Sequence, residues 1–418
     1  VVEGRLRNWA GNVVFGAGRV HRPESVDELR RIVARGRRMR ALGSGHSFSL
    51  VADSDGELVR LDGLPPMVEI DSGRSSVTVA AGMRYADVAA ELSRNGVALP
   101  NMASLPHISV AGSCATGTHG SGDGLRCLSA SVSALELVGP EGDLVELRRE
   151  GGADVFSGVV VALGALGVVT RVTLDVEPAF EVAQRVRVEV PLDELGAGFD
   201  EVFGAAYSVS AFTDWRSGVA RVWLKCRTDV PAPVWAGGSA ASEPVHPVPG
   251  MVPAACTVQM GVPGPWHERL PHFRPEVTPS AGRELQSEWF LPRDAAAEAF
   301  GAVRAIADAV APVLHISEVR TVRGDDLWLS PAYGRDSVTL HFTWHDDPAG
   351  VLPVVAELQE RLVPLGARPH WGKLSTTPGE EVIAGYERGD DFARLARKFD
   401  PGGKFRNAFV DALLRPGG

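Results

Sequence analysis

Apolar residues first fall at helical spacing after Pro23. Leu29, Ile32 and Val33 form one face there, Ser25 and Glu28 are spaced as a capping box, and Gly36 supplies a stop. Short β-branched runs follow at Val59 to Leu61, Val68 to Ile70 and Val77 to Ala80, the last two joined through Ser72-Gly73-Arg74 as a hairpin. Helical spacing returns from Tyr85 to Asn95, with Val88 and Leu92 inward and Gly96 as the stop. Val132 to Val138 and Leu144 to Leu147 read as a second hairpin. Gly164-Ala165-Leu166-Gly167 then leads into a strand from Val168 to Val176, and Pro178 marks a boundary.

Beyond Glu181 the alternation lengthens, as in Val182 to Val190 and Val219 to Cys226. Residues 231 to 275, rich in Pro and Gly and carrying Trp235, His246, Trp266 and His267, read equally as linker or lid. The order then becomes strand (Leu285 to Leu291), helix (Asp294 to Val310), strands (Val313 to Val322, Ser337 to Trp344), helix (Val351 to Leu362) and strand (Ala367 to Trp371). Strands alternating with single-faced helices predict a sheet covered on one side, hence an α+β chain. Along Val338 to Trp344, the residues Val338, Leu340, Phe342 and Trp344 share one face, and Thr339, His341 and Thr343 share the other. Glu318 and Arg320 also point one way on the neighbouring strand. A solvated outer face would account for this, but His-Thr beside Glu-Arg, followed by His370-Trp371-Gly372-Lys373, favours a site.

With 418 residues, 44% hydrophobic and 22% charged, the chain has ordinary globular composition and room for two or three domains. A net charge of −10 disfavours nucleic acid and anionic membranes as partners. Cys114, Cys127, Cys226 and Cys256 lack metal or redox spacing and read as buried free thiols in a reducing, cytoplasmic setting; no metal site is expected. No apolar run reaches membrane-spanning length. The sequence begins at Val1, which leaves room for a removed leader.

Two stretches resist a packing explanation. Arg40-Ala41-Leu42-Gly43-Ser44-Gly45-His46-Ser47 reads as a strand entering a loop in which Gly43 and Gly45 take positive backbone angles and turn amide N–H groups toward an anion. Phe48 stands where a Rossmann fingerprint requires its third glycine, and no Walker Lys follows. The arginines from Arg30 to Arg40 read mainly as a solvated face. The second stretch, residues 101 to 122, is crowded with small and hydroxyl residues and too poor in apolar mass for a core helix or strand. The interspersed Met102, Leu105, Ile108 and Val110 favour an ordered loop against a flat ligand over a linker.

On these motifs, residues 10 to 178 resemble the FAD domain of the vanillyl-alcohol-oxidase-type (PCMH-type) flavoproteins. Arg40 to Ser47 is similar to the family's R-x-x-G-x-G-H-S, whose histidine carries the flavin. The resemblance implies covalent FAD on His46, with Ala41, Leu42, Gly43, Ser44, Gly45 and Ser47 around it. It further implies Ser104, Ser109, Gly112, Thr116, Gly117, Thr118 and His119 as flavin neighbours and Val168 near the adenine end. Leu105 stands where bicovalent members carry cysteine, which implies attachment through one residue and leaves Cys114 structural.

The rest resembles the substrate domain of the aldonolactone and alditol oxidases, and across the whole chain the blocks Leu99 to Gly122, His246 to Gly250, Pro263 to Phe273, Trp328 to Asp336 and Pro369 to Lys373 most resemble the alditol oxidases. Polyol-binding positions then fall on Ser104, Glu318, Arg320, Thr343 and Lys373. Arg320 and Lys373 face developing alkoxide charge, Glu318 holds Arg320, and His341 or Lys373 is the base. The implied organisation is a two-part FAD domain (1–178), a substrate domain with a mostly antiparallel sheet covered by helices on one face (179–375), and a return segment (376–418) ending in Asp400-Pro401-Gly402-Gly403-Lys404-Phe405-Arg406-Asn407. The implied activity is FAD-dependent oxidation of a polyol's terminal alcohol (xylitol, sorbitol) with O₂ reduced to H₂O₂, by a monomer. The alternatives are an aldonolactone oxidase or dehydrogenase and a non-catalytic flavin-containing carbohydrate binder.

Overall fold

The computed structural model describes residues 6–231, 235–277 and 283–414; residues 232–234 of the Pro/Gly-rich stretch lie outside them. The capping box predicted at Ser25 forms: Ser25 Oγ accepts from Glu28 N at 3.2 Å, Glu28 returns a bond to Glu24 N at 2.8 Å, and the helix runs Val26–Arg35. Two larger sheets and a two-stranded one, Val97–Ala98 with Glu177–Pro178, build the N-terminal region. A three-stranded parallel sheet takes Arg19–His21, Glu57–Arg60 and Met39–Leu42. A five-stranded antiparallel sheet runs Val68–Ile70, Ser76–Ala80, Val168–Asp175, Val132–Val138, Leu144–Arg148. Both predicted hairpins lie in it.

The remaining large sheet has nine strands, all paired antiparallel, with the central order Glu181–Pro191, Val219–Arg227, Ser208–Thr213, Leu314–Val322, Ser337–His345, Glu284–Pro292. Val319, Leu340, Phe342, Trp344 and Trp289 bury one face of it against the helices Ala296–Arg304 and Pro348–Leu362. Strand alternation therefore turns Glu318, Arg320, Thr339, His341, Thr343, Gln286 and Glu288 to the opposite face.

Some expectations fail locally. Asp294 to Val310 is not one helix: Ile306 leaves helical geometry (φ −121°, ψ 20°) and buries its side chain, splitting Ala296–Arg304 from Ala307–Val310. Within the stretch read as loop, Val110–Ala115 forms a short helix, because Val110 and Cys114 find a core to enter. Arg40 does not join a solvated face. It is buried and donates to the carbonyls of Leu163, Gly164, Val51 and Phe405. Cys226 is half-buried rather than buried, and all four thiols are free.

The C-terminal residues pack back onto the first core, where Phe392, Leu395, Phe405 and Val410 join Leu29, Met39 and Val59. Asp400 caps the turn at Lys404 and Phe405, Lys404 O accepts from Met39 N, and the Asn407 amide donates to Leu50 O and Asp53 O. The D-P-x-x-x-F-x-N ending thus holds the base of the strand that enters the glycine loop. Among the described residues, no helix is long and apolar enough to cross a membrane.

Candidate active site

The strand Met39–Leu42 ends where the chain must turn, and the turn is cross-braced. Trp9 N donates to Gly45 O, and the side-chain amides of Asn8 and Asn12 donate to Ser47 O and Phe48 O. Only Gly45 has a left-handed backbone (φ +71°), contrary to the expectation for Gly43. Gly43 is required by proximity instead, since a Cβ there would sit 2.3 Å from Ser109 Oγ. Ser44 N donates to Ser109 Oγ at 3.3 Å and Ser109 N to Ser44 Oγ at 3.2 Å, tying the two glycine-rich stretches together. The imidazole of His46 stacks on the Trp9 ring at 5.0 Å, and its Nδ1 is buried without a partner. Burial, helped by Lys373, pulls His46 down to about 4, so its ring is neutral at ordinary pH.

From this loop a cavity of about 740 Å³ extends to the polar face of the large sheet. Ala41 through Ser47, Ser104, Ser109, Gly112, Thr116, Thr118, His119, Glu318, Arg320, His341, Thr343 and Lys373 all line it. Gly117 and Val168 do not. Val168 points into the apolar core, and alternation gives Val169 the cavity side; Gly117 turns the chain (φ +68°) with its α-carbon facing Pro331.

Register builds the polar face. Glu318 pairs with His341, which pairs with Glu288, so three side chains stand abreast on adjacent strands; Thr343 stands opposite Gln286 in the same way. Arg320 lies between two carboxylates. It donates through Nη2 to Glu288 Oε1, its Nε is 3.7 Å from Glu318 Oε1 and has no hydrogen-bond partner, and Nη1 reaches Ser104 Oγ at 3.5 Å. Sequence parity suggested Glu318 as the holder of Arg320, but the closer partner is Glu288. Burial resists ionisation of both carboxyls, yet Arg320 outweighs it and holds each well below the usual range, aided by His119 at Glu288 and His272 at Glu318. His119 Nδ1 faces Gly120 O at 2.7 Å and Nε2 faces Glu288 Oε1 at 3.0 Å, both acceptors. Burial and the Arg320 guanidinium pull His119 below the usual histidine range while Glu288 and Gly120 O oppose them, so the ring in its neutral form gives its hydrogen to one of the two acceptors.

The candidate bases differ in what they are bonded to. Gln286 Nε2 donates to Glu284 Oε1, so its carbonyl accepts from Lys373 Nζ and from His341 Nε2 at 3.2 Å. His341, pulled by burial to about 3, is thus neutral with its Nε2 hydrogen committed. Burial pulls Lys373 to about 8. Phe48 N donates to Gly372 O at 2.7 Å and Ser49 Oγ to Trp371 O at 2.6 Å, so the Lys373 turn is bonded directly to the His46 loop.

Sequence reasoning missed Glu288, Gln286, His272 and Trp9. The first two share the parity of Glu284 on a strand whose alternation was open to the same reading used for Val338 to Trp344. His272 and Trp9 carry no local signal. They arrive from an irregular segment and from the N-terminal arm.

Comparisons with known proteins agree with this geometry. The family described as "FAD binding domain" matches residues 17–148, and the family described as "D-arabinono-1,4-lactone oxidase" matches residues 279–413. The chain is similar to alditol oxidase of a Streptomyces species, with 53% identity over 98% of this chain and 99% of that one. It is 28% identical to L-gulono-1,4-lactone dehydrogenase of Mycobacterium tuberculosis over 98% of this chain and 99% of that one. L-gulonolactone oxidase of Bos taurus is 25% identical, with 98% of each chain covered. Among solved structures, cholesterol oxidase of B. sterolicum superposes with a TM-score of 0.75 at 15% identity, over 98% of this chain and 96% of that one, a likeness of fold. Identity sustained from end to end, with an FAD-binding half and a sugar-lactone-oxidase half in sequence, means that this chain belongs to the PCMH-type FAD flavoprotein family of the aldonolactone and alditol oxidases.

Proposed function

We propose that the chain is an FAD-dependent alditol oxidase that converts the terminal CH₂OH of a polyol such as xylitol or sorbitol to the aldehyde while O₂ becomes H₂O₂. The observation that carries the reading is one continuous cavity that joins the glycine loops to the Glu318–Arg320–Lys373 face, in a chain 53% identical to an alditol oxidase. The reading treats 1–178 and 376–418 as the FAD-binding part and 179–375 as the substrate part, supported by the shared core of the two outer segments.

FAD fits the residues present: His46 lines the cavity with its buried Nδ1 unpartnered, and Gly43, Gly45 and Gly112 line it without side chains. Bound FAD supplies the two-electron acceptor for the hydride leaving the carbinol carbon and passes the electrons to O₂. His46 is read as the covalent attachment point. The remaining work belongs to the polar face. Arg320, with an Nε hydrogen unspent, holds the reacting oxygen as alkoxide charge develops. Glu318, Thr343 and Ser104 accept from further hydroxyls. Lys373, at about 8, takes the hydroxyl proton in its neutral form, while His341 orients Gln286 and through it the amine.

Anaerobic addition of xylitol or sorbitol should bleach the flavin absorbance, and air should restore it with H₂O₂ formed. No bleaching with any alditol would sink the reading, and faster bleaching by L-gulono-1,4-lactone would move it to the lactone oxidases. His46→Ala should leave the flavin in the supernatant after acid precipitation. Colour retained by the denatured variant would assign the link elsewhere.

A further inference from the structure

Lys225 lies in the strand Val219–Arg227, two strands from Glu318, and is 1% exposed. A buried ammonium needs an acceptor for each of its three hydrogens. Lys225 Nζ has three: Leu270 O, Pro271 O at 3.1 Å and His272 Nδ1 at 3.1 Å. Burial pulls Lys225 down to about 7; in its ammonium form it can only donate, so Nδ1 of His272 presents its lone pair and the ring hydrogen sits on Nε2, the tautomer that the Glu318 carboxylate also favours. Nε2 stands 2.8 Å from Glu318 Oε1, with Ser210 Oγ at 3.3 Å beside it. The ring cannot swing away, since Phe212 and Trp223 pack edge-on at 5.3 and 5.2 Å and its backbone N–H is bonded to Ser104 O.

We infer that Lys225 is a positioning residue for substrate binding: it locks His272 in the Nε2–H tautomer, which pins one oxygen of Glu318 and turns the other toward the substrate's hydroxyl. Without the ammonium, only Glu318 holds the ring hydrogen on Nε2, so the Nδ1–H tautomer, whose lone pair faces the carboxylate and turns it away, gains population. The inference rests on the proposed hydroxyl-binding role of Glu318, and its test separates the two.

The first measurement needs neither substrate nor variant activity. A long-range ¹⁵N–¹H spectrum of the ¹⁵N-histidine-labelled holoenzyme, with His272 assigned by its disappearance in His272→Gln, should show the Nε2–H tautomer. An Nδ1–H tautomer, or an imidazolium, in the wild type overturns the inference even if alditols are oxidised as proposed. Lys225→Met should shift that resonance toward the other tautomer and raise KM for xylitol about ten-fold, the loss of one oriented hydrogen bond to a charged group, with kcat changed less than about three-fold. In a Glu318→Gln background the same substitution should move KM less than about two-fold. Equal KM effects of Lys225→Met in both backgrounds would make Lys225 a packing residue only. Lys225→Gln, whose amide can still donate to Nδ1, should recover KM toward wild type if Lys225→Met folds poorly; failure to recover it in a folded, flavin-loaded Lys225→Gln counts against the inference. Absence of turnover with any alditol in the wild type would remove the proposed function while leaving the tautomer measurement to decide the lock.

Discussion

Replacing Arg320 by Lys keeps the charge and removes the fork. The guanidinium bonds Glu288, approaches Glu318 from Nε and reaches Ser104; an ammonium is a point charge that cannot meet both carboxylates and the substrate oxygen at once. Loss of a hydrogen bond that strengthens on the forming alkoxide costs about 3–4 kcal/mol, so kcat/KM for xylitol should fall about 10²–10³-fold. Stability should change little, because a cation remains beside Glu288 and Glu318. Arg320→Met separates the two effects. It strands two buried carboxylates, a loss of about 3–5 kcal/mol. At about 2 cal/mol/K per residue, a cooperative unit of 418 residues loses about 3–6 °C in Tm. In the wild type, burial resists ionisation of Glu318, but Arg320 and His272 prevail and depress it from an ordinary 4.5. Its contribution is therefore present above that value and is lost as pH falls below it, and the acid-side loss should shrink in Arg320→Met. Steady-state peroxide release and flavin absorbance at neutral pH, with melting curves carried from pH 8 down to about 2, would measure all three quantities. A kcat/KM within about three-fold of wild type for Arg320→Lys, at full flavin content, would refute the alkoxide role. An unchanged Tm in Arg320→Met would refute the two-carboxylate account.

If neutral Lys373 is the proton acceptor, kcat/KM for an alditol rises as pH passes through about 8; Lys373→Met should abolish this limb and slow turnover, whereas a limb that persists in the variant assigns it to another group. His341, pulled by burial to about 3, is already neutral across that range and cannot produce it. Gly43→Ala puts a methyl 2.3 Å from Ser109 Oγ, an overpacking of about 1–3 kcal/mol that should lower Tm by about 1–3 °C and reduce bound flavin. Adding Ser109→Gly should restore both, and no recovery would mean that Gly43 serves the loop in some other way.

The capped helix at Ser25, both hairpins of the five-stranded sheet and the division of Val338 to Trp344 into an apolar and a polar face were written in the order of residues, because each depends on contacts a few positions apart or on strand alternation. The same local logic brought Glu318, Arg320, His341 and Thr343 onto one side, and the resemblance of the glycine motifs to a flavoprotein family pointed to His46. Tertiary structure decided what these groups touch. Arg320 bonds Glu288 more closely than Glu318 because strand register, a long-range property, sets Glu288 beside His341 and Arg320 in space. Gly43 is indispensable through Ser109, 66 positions later, and not through its own backbone angle. Trp9 entered no reading of the sequence, and Lys225 and His272 lay unremarked inside the strand Val219 to Cys226 and the block Pro263 to Phe273, since an isolated Lys, Trp or His carries no periodic signal. Their importance follows from burial, which removes the water that would otherwise satisfy each polar atom and so makes every remaining partner count.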